Sequence, residues 1–181
     1  MHPIIYDVAV SLDGFICGPA GDISAFAPDG PVVDDYRARL ATYAVAIMGR
    51  RTYEFGYAFG LAPGRNPYPH MKTLVFSRTL ALPAAAEVSV VTDRRTGRLR
   101  DLKTRAGGPI YLCGGGAFAG WVLRAGLIDR LVVKRAPHVL GAGVALFGGA
   151  PVSQAFARVR TTAYQNGYLL EEFEAVRPAP D

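Results

Sequence analysis

The sequence predicts an α/β fold in which helices flank a mainly parallel, mixed sheet and an antiparallel hairpin ends the chain. Two observations support this. Short apolar runs, typical of buried strands, alternate with helical patterns up to about residue 135. The pattern then changes to strand followed by strand, which is typical of antiparallel pairing at a sheet edge. Because no linker, repeat or charge run divides the 181 residues, we expect one domain over 1–181.

The first half of the chain begins with a strand. Residues 4–12 place apolar side chains at every second position, which predicts a mostly buried strand. Residues 13–29 form a long loop rich in glycine and proline, and such loops often carry function. A first helix is expected after Gly30 and Pro31, because apolar residues recur there at helical spacing. The apolar run 44–48 predicts the next strand, and a short helix is expected at 51–55, followed by a loop over 56–69.

The second half repeats the alternation. Buried strands are predicted at 73–76 and 88–91, and a short amphipathic helix spans Leu99 to Ala106. The strand 110–113 runs into three glycines and then into a helix that Gly126 ends. Further strands are predicted at 128–134 and 152–160. Residues 163–176 are predicted as a hairpin with Asn166-Gly167 as a type I′ turn.

Composition excludes several classes of protein. Half of the residues are hydrophobic and 19% are charged, which favours a large core over intrinsic disorder. No apolar run approaches the ~20 residues that span a bilayer, and no secretory signal is visible, so we expect a cytoplasmic protein without a membrane partner. The two cysteines, Cys17 and Cys113, stand alone, which argues against a metal site. The net charge of +5 is scattered, so we expect no nucleic-acid partner.

A glycine-rich turn is the strongest local signal. The strand 110–113 runs directly into Gly114-Gly115-Gly116, and a helix follows. Glycines let a backbone approach a ligand closely, and the free N–H groups at a helix N-terminus attract phosphate. The alternative is a tight turn that needs small residues only. The segment also fits a Gly-x-Gly-x-x-Ala pattern, but it lies late in the chain and has no acid after the next strand, unlike a Rossmann fold.

Arginines follow two of the predicted strands. Gly49-Arg50-Arg51-Thr52 comes after the strand 44–48, and Ser77-Arg78-Thr79 comes after the strand 73–76. Ligands of α/β sheets bind at the carboxyl ends of strands, and the guanidinium fork suits phosphate. Together with the glycines, these residues predict a dinucleotide site with arginines at a 2′-phosphate. Each arginine alone is equally consistent with a residue that only covers the sheet rim.

Acid–base candidates are few. Asp34 and Asp35 fall in the first turn of the first helix, where acidic residues also stabilise the helix dipole. The three histidines are isolated, and no Ser–His–Asp order can be argued. Asp13-Gly14 opens the long loop after the first strand. The dipeptide is typical of a turn, and its position before a long loop favours a functional role more than the dipeptide alone does.

Six segments, in order, resemble the dihydrofolate-reductase-like superfamily. The closest resemblance is to the group that includes the C-terminal reductase domain of the bifunctional riboflavin-biosynthesis deaminase/reductase. The resemblance runs almost from end to end of the chain, and the matching segments lie between residues 11 and 147: Ser11–Asp22, Met48–Glu54, Lys72–Leu80, Cys113–Gly116, Gly126–Leu131 and Val139–Phe147.

The resemblance implies an NADPH-dependent reductase that acts on a small-molecule substrate, and a homodimer. It places the 2′-phosphate at Gly49, Arg50, Arg51, Thr52, Ser77 and Arg78. It places the pyrophosphate at Gly114, Gly115, Gly116, Ala117 and Phe118, and the nicotinamide at Ala9 and Ile16. Dihydrofolate reductases carry an acid on the first helix, which corresponds to Asp34 or Asp35 without deciding between them.

The expected reaction is hydride transfer to a pyrimidine or pteridine-like substrate, most like 5-amino-6-(5-phosphoribosylamino)uracil reductase. The residues after Glu54 depart from the riboflavin reductase pattern, which leaves the substrate open. Dihydrofolate reductase activity and a non-catalytic dinucleotide-binding module are the alternatives, and a nucleic-acid binder is a third.

Overall fold

A central sheet of eight strands organises the computed structural model, which describes residues 1–177. A two-stranded sheet lies beside it. The strands are β1 Ile4–Val10, β2 Phe15–Cys17, β3 Val45–Gly49, β4 Lys72–Phe76, β5 Ser89–Val91, β6 Ile110–Gly114, β7 Arg130–Arg135, β8 Val144–Ala145, β9 Phe156–Ala163 and β10 Leu169–Ala175. The α-helices are α1 Pro31–Leu40, α2 Arg50–Phe55, α3 Thr96–Arg105 and α4 Gly116–Arg124, and short 3₁₀ turns lie at Pro19–Gly21 and Gly56–Phe59.

The strand order of the large sheet is β5-β4-β3-β6-β1-β7-β10-β9. The first six strands in this order are parallel, and β10 runs antiparallel to β7 and to β9. The predicted fold class, with its antiparallel C-terminal pair, is therefore confirmed. Because β4, β3, β6, β1 and β7 all point the same way, the loops after them meet at one edge, which we call the carboxyl edge.

Two apolar layers cover the two faces of the sheet. Helices α3 and α4 pack on one face through side chains such as Leu99 and Val122. Helices α1 and α2 cover the other face with Tyr36, Leu40 and Tyr53. The side chains of β1 alternate between these layers, as the sequence predicted, because successive residues of a strand point to opposite faces.

Helix α4 ends as the sequence predicts. Gly126 adopts a φ of +64°, its N–H donates to Leu123 O, and the N–H of Leu127 donates to Val122 O. These bonds form a Schellman motif, which satisfies the last carbonyls of the helix.

Several boundaries differ from the prediction. The first strand ends at Val10 because the N–H of Ser11 bonds to Phe15 O and turns the chain. The strand predicted at 152–160 is Phe156–Ala163.

The predicted type I′ turn is wrong. Only Gly167 has a positive φ, of +82°, and its N–H donates to Tyr164 O, while the N–H of Tyr164 donates to Tyr168 O. This pattern is a three-residue hairpin loop with glycine in the left-handed position.

The small β2–β8 sheet was not predicted. It joins the loop after β1 to the loop after β7 at the carboxyl edge. Gly143, with a φ of +141°, makes the close approach possible, since a Cβ there would lie 1.9 Å from Cys17 O. No helix among residues 1–177 has the length and apolar character needed to cross a membrane.

Candidate functional site

The predicted phosphate-binding segments lie side by side at the carboxyl edge. Gly49 ends β3, Ser77 follows β4, and Gly114 ends β6. These three strands are adjacent, in the order β4-β3-β6. The fold therefore brings together three segments that are separated by up to 65 residues in the sequence.

The structural feature that favours glycine differs among the three positions of the glycine loop. Gly114 has a φ of +119°, which L side chains rarely adopt. A Cβ on Gly115 would lie 3.0 Å from Thr52 Oγ1, so the glycine loop and α2 are in contact at this point. A Cβ on Gly116 would lie 2.2 Å from Ala145 O, so this glycine is required by packing alone. No side chain caps the first turn of α4, and the N–H groups of an uncapped helix N-terminus attract anions.

The strand-end arginines are exposed at this edge. Arg50 joins α2 to the loop after β4, since its Nε donates to Glu54 Oε1 at 2.7 Å and its Nη1 donates to Thr79 Oγ1 at 2.8 Å. Arg51 and Arg78 project into solvent beside it. The cluster presents three guanidinium groups and one carboxylate, so a positive surface borders the glycine loop.

Ser77 shapes the turn that carries Arg78. Its hydroxyl is buried and accepts hydrogen bonds from the N–H groups of Thr79 and Leu80, at 3.1 and 3.0 Å. The role of this side chain in the free protein is therefore to hold the turn.

A cavity of about 270 Å³ opens on the sheet face covered by α1. Its apolar wall consists of Val8, Ala9, Phe26, Ala27, Val32 and Val33, and its polar wall of Asp7, Tyr36, Tyr111, Cys113, Lys134 and Tyr168. The volume is near the lower end of the roughly 300–1,000 Å³ typical of ligand pockets, which suits a single-ring compound. Because Cys113 directly precedes Gly114, the cavity shares a wall with the glycine loop.

The remaining predicted cofactor residues surround this junction. Ala9 lines the cavity, and Ile16 Cδ1 lies 3.9 Å from the position of a Cβ on Gly115. Ala117 is exposed at the start of α4. The Phe118 ring is buried in the core against Phe76, with ring centroids 5.0 Å apart, so only its backbone faces the edge.

An unpredicted charge cluster lies in the polar wall of the cavity. Asp7, in the middle of β1, is completely buried. Lys134 Nζ donates to Asp7 Oδ1 at 2.7 Å, Arg39 Nε donates to Oδ2 at 2.8 Å, and the Tyr43 hydroxyl donates to Oδ2 at 3.1 Å. Lys134 Nζ also lies 3.5 Å from the centre of the Tyr36 ring, a cation–π contact.

These contacts determine the protonation states of Asp7 and Lys134. Burial alone would raise the pKa of Asp7, but Lys134 and Arg39 outweigh it and hold that pKa below its ordinary value. Burial lowers the pKa of Lys134, and the attraction of Asp7 offsets this only in part. Asp7 is therefore a carboxylate, and Lys134 is a stronger acid than an exposed lysine.

Hydroxyl and thiol groups complete the polar wall. The Tyr36 and Tyr111 hydroxyls are 2.7 Å apart, and the Tyr68 hydroxyl lies 3.4 Å from Cys113 Sγ. Burial raises the pKa of each of the three phenols and of the thiol. At neutral pH these groups therefore carry no charge and act as hydrogen-bonding groups.

The predicted acids on α1 lie outside the cavity. Asp34 is exposed and pairs with Arg37 at 3.1 Å. Asp35 is exposed and accepts a hydrogen bond of 2.5 Å from the Tyr164 hydroxyl, whose pKa burial and this carboxylate raise to about 12. The α1 side chains that line the cavity are Val32, Val33 and Tyr36. A catalytic role for Asp34 or Asp35 stays a prediction, and the geometry of the cavity does not favour it.

Asp13, singled out in the loop after β1, connects two loops. The Ser11 hydroxyl donates to Asp13 Oδ1 at 2.6 Å, and the N–H groups of Leu140 and Gly141 donate to its two oxygens at 3.1 and 2.7 Å. These bonds, that of Ser11 foremost, lower the pKa of Asp13 to about 2. Its carboxylate therefore holds the loop after β1 against the loop after β7.

A second groove, of about 690 Å³, lies on the opposite face between α3 and β4. Leu74, Phe76 and Leu102 form its floor, and its rim carries Arg95, which is paired with Asp93. The groove contains no buried polar group comparable to Asp7. Chemistry is therefore better supported in the smaller cavity.

The sequence does contain a signal for the missed residues. Asp7 interrupts a strand that is otherwise apolar, Lys134 is buried near the end of β7, and a charge buried in a strand needs a partner. Register places the pair on one face, since Asp7 lies opposite Val132 and Ala9 lies opposite Lys134. The ion pair between Asp7 on β1 and Lys134 on β7 could not be predicted without that register.

Solved structures share this fold. A protein from Shewanella sp. PV-4, provisionally assigned to riboflavin biosynthesis, superposes with a TM-score of 0.81 at 24% identity, covering 98% of this chain and 100% of its own. A pyrimidine reductase-like protein from Corynebacterium diphtheriae gives 0.73 at 14% identity over 97% and 92% of the two chains. The Thermotoga maritima diaminohydroxyphosphoribosylaminopyrimidine deaminase/5-amino-6-(5-phosphoribosylamino)uracil reductase gives 0.72 at 18% identity, with 97% of this chain matching 57% of that one.

Sequence comparison agrees with the structures. Two Bacillus subtilis proteins without assigned function are similar: YwjB is 28% identical over 141 residues, covering 77% of this chain and 79% of its own, and YyaP is 27% identical over 178 residues, covering 92% and 91%. The model of the RibD C-terminal domain matches residues 3–170. The resemblance to the riboflavin reductase group is thereby confirmed, and the chain belongs to the RibD C-terminal domain family.

Proposed function

We propose that this protein is an NADPH-dependent reductase that reduces a C=N or C=O group in a small ring compound of the pyrimidine or pteridine type. The observation that carries the proposal is the shared wall between the glycine loop and the cavity, where Cys113 joins Gly114. A dinucleotide at the carboxyl edge and a substrate in the cavity would meet there. The uracil reductase named among the structural relatives supports the same reaction class.

The residues at the carboxyl edge fit such a cofactor. A Cβ on Gly115 would lie only 3.0 Å from Thr52 Oγ1, so glycine keeps the backbone open here, and the uncapped first turn of α4 would offer N–H groups to a pyrophosphate. Arg50, Arg51 and Arg78 supply guanidinium groups for a 2′-phosphate, the feature that distinguishes NADPH from NADH. Ala9 and Ile16 would border the nicotinamide.

When bound, NADPH supplies a hydride. The chain's own contribution is orientation, exclusion of water and a proton. Apolar side chains on one wall exclude water, and Tyr36 and Tyr111 offer hydroxyls that orient a ring. Lys134 Nζ holds a proton inside the cavity, and Asp7 fixes the position of that ammonium. This arrangement replaces the acid on the first helix that the resemblance to dihydrofolate reductases implies.

The test is a thermal-shift and binding titration with NADPH and NADH. At about 100 times its dissociation constant, a ligand that binds only the folded state adds roughly 2.7 kcal/mol of stability. We expect Arg78→Ala to weaken NADPH binding by about 10–100-fold and NADH binding much less, since a charged hydrogen bond to phosphate contributes about 1.5–3 kcal/mol.

Arg124→Ala is the matched control, because Arg124 is exposed at the far end of α4. It should leave both affinities unchanged. Equal losses for NADPH and NADH in Arg78→Ala would contradict the 2′-phosphate site. Binding of NADPH without turnover across a panel of pyrimidines and pteridines would favour a non-catalytic module.

A further inference from the structure

The carboxylate of the cavity is fully occupied by protein donors. Asp7 Oδ2 accepts from Arg39 Nε at 2.8 Å and from the Tyr43 hydroxyl at 3.1 Å. Asp7 Oδ1 accepts from Lys134 Nζ at 2.7 Å and from Arg39 Nη2 at 3.4 Å. A carboxylate has about four acceptor positions, so Asp7 has none left for a ligand. Its role in the cavity is that of a counter-ion.

Lys134 is in the opposite situation. Its ammonium has three N–H donors, and among residues 1–177 its one hydrogen bond to an oxygen is the bond to Asp7. A second side of the ammonium faces the Tyr36 ring, which offers no lone pair. The remaining donor capacity is directed at the cavity that Lys134 lines. An acceptor atom on a ligand would satisfy it.

The charges around the cavity do not cancel. One carboxylate, Asp7, faces two cations, Arg39 and Lys134, so the cluster carries a net charge of one positive unit. The other polar side chains of the wall, including Tyr36, Tyr111 and Cys113, are neutral, and the rest of the lining is apolar. Because the Lys134 side chain is only 9% exposed, its interaction with a negative charge is screened less than that of a surface lysine.

We infer that the cavity is a binding site for negatively charged single-ring compounds, whose anionic oxygen is held by Lys134 Nζ. If the proposed reductase function holds, such compounds are its substrate class, and that interpretation rests on the proposed function. The cavity volume of about 270 Å³ favours a one-ring compound of the pyrimidine type over the two-ring pteridines. The ammonium that selects the anion is also the group that holds a proton in the same cavity.

Benzoate and benzamide test the inference, since they share a ring and a shape but differ in charge. Binding of each is measured by calorimetry on the full chain without cofactor. We expect the wild type to bind benzoate at least about tenfold more tightly than benzamide, the ratio typical of a charged hydrogen bond. Lys134→Met, which keeps the length of the side chain, should bind the two equally. Lys72→Met is the matched control, because Lys72 is exposed at the opposite edge, and it should keep the preference.

Three results would overturn the inference: equal binding of the two compounds to the wild type, binding of neither, or a preference that survives in Lys134→Met. If Lys134→Met does not fold, Lys134→Gln takes its place, and the wild-type ratio still decides. A negative result in the benzoate test does not affect the result of the NADPH titration. A failure of that titration together with a benzoate preference would indicate an anion-binding cavity without the proposed reductase.

Discussion

Two buried lysines pair with aspartates at opposite edges of the sheet. At the amino edge, Lys103 Nζ contacts both carboxylate oxygens of Asp129, at 2.8 and 2.6 Å. In the cavity near the carboxyl edge, Lys134 Nζ contacts one oxygen of Asp7 at 2.7 Å. The Asp129 side chain is 19% exposed and also accepts the N–H of Ile4, whereas the Asp7 side chain is 0% exposed.

Each aspartate has a second cation, and here the two regions differ further. Arg177 beside Asp129 is 53% exposed, whereas Arg39 beside Asp7 is 22% exposed. Water therefore screens the surplus charge at the amino edge, while the surplus charge at Asp7 stays inside the protein. A lysine, an arginine and an aspartate therefore form a structural ion-pair cluster at the amino edge, whereas the same three residue types leave an ammonium facing a cavity near the carboxyl edge. The surroundings of an ion pair, more than its composition, decide what it does.

The largest expected effect comes from removing the buried carboxylate of the cavity. Asp7→Asn would leave Arg39 and Lys134 close together without a counter-ion. We expect a loss of about 3–5 kcal/mol in the free energy of unfolding, the usual result of breaking a buried ion pair. Urea denaturation monitored by circular dichroism measures it. A loss below about 1 kcal/mol would show that water reaches this cluster.

A smaller effect separates the two lysines. Lys134→Met leaves Asp7 balanced by Arg39 and removes a charge that burial disfavours, so stability should change by less than about 1 kcal/mol. Lys103→Met removes the bidentate partner of Asp129 and should cost about 1–3 kcal/mol, reduced from the fully buried case by solvent. The two variants are compared by urea denaturation at neutral pH. Equal losses in the free energy of unfolding would show that the Lys134–Asp7 and Lys103–Asp129 pairs contribute equally to stability.

The smallest expected effect is a pH dependence confined to one lysine. The pKa of Lys134 is lowered by burial below its ordinary value of 10.5, so between the two values the unfolded chain binds more protons than the folded one. Stability of the wild type should therefore rise, relative to Lys134→Met, as pH increases toward 10.5. Groups remote from Lys134 titrate alike in both proteins and cancel in the difference. A stability gap that is constant from pH 7 to 10 would contradict the shift.

Much of the fold was predictable, because strands such as β3 and β6 are short apolar runs that end at a glycine and its helices have periodic faces. What failed depends on contacts between distant segments. The β2–β8 pair joins residues more than 120 positions apart, and no local pattern marks it. The hairpin turn failed for a local reason, since Asn-Gly is compatible with more than one turn type and the backbone at Asn166 decided.

The candidate site divides in the same way. The residues predicted to bind a cofactor come from motifs that are contiguous in sequence, such as Gly114-Gly115-Gly116, and the structure brings these motifs to one edge. The cavity is built from short pieces of α1, β1, β6 and β7, from the loop before α1 and from Tyr168, so its members could be recognised only after the sheet order was known. Asp34 and Asp35 illustrate the difficulty, because a helix position alone does not say which face of α1 lines the cavity.

The Asp13 bridge has a consequence for the exchange of loops between this protein and its relatives. Asp13 bonds to Leu140 and Gly141, and β2 pairs with β8, so the loops after β1 and β7 are joined at two points. Gly143 sits against Cys17 with no space for a side chain. A loop grafted from a relative at one of these places would therefore meet an unmatched partner at the other. The two loops therefore form one exchangeable unit, and an exchange would have to replace both together.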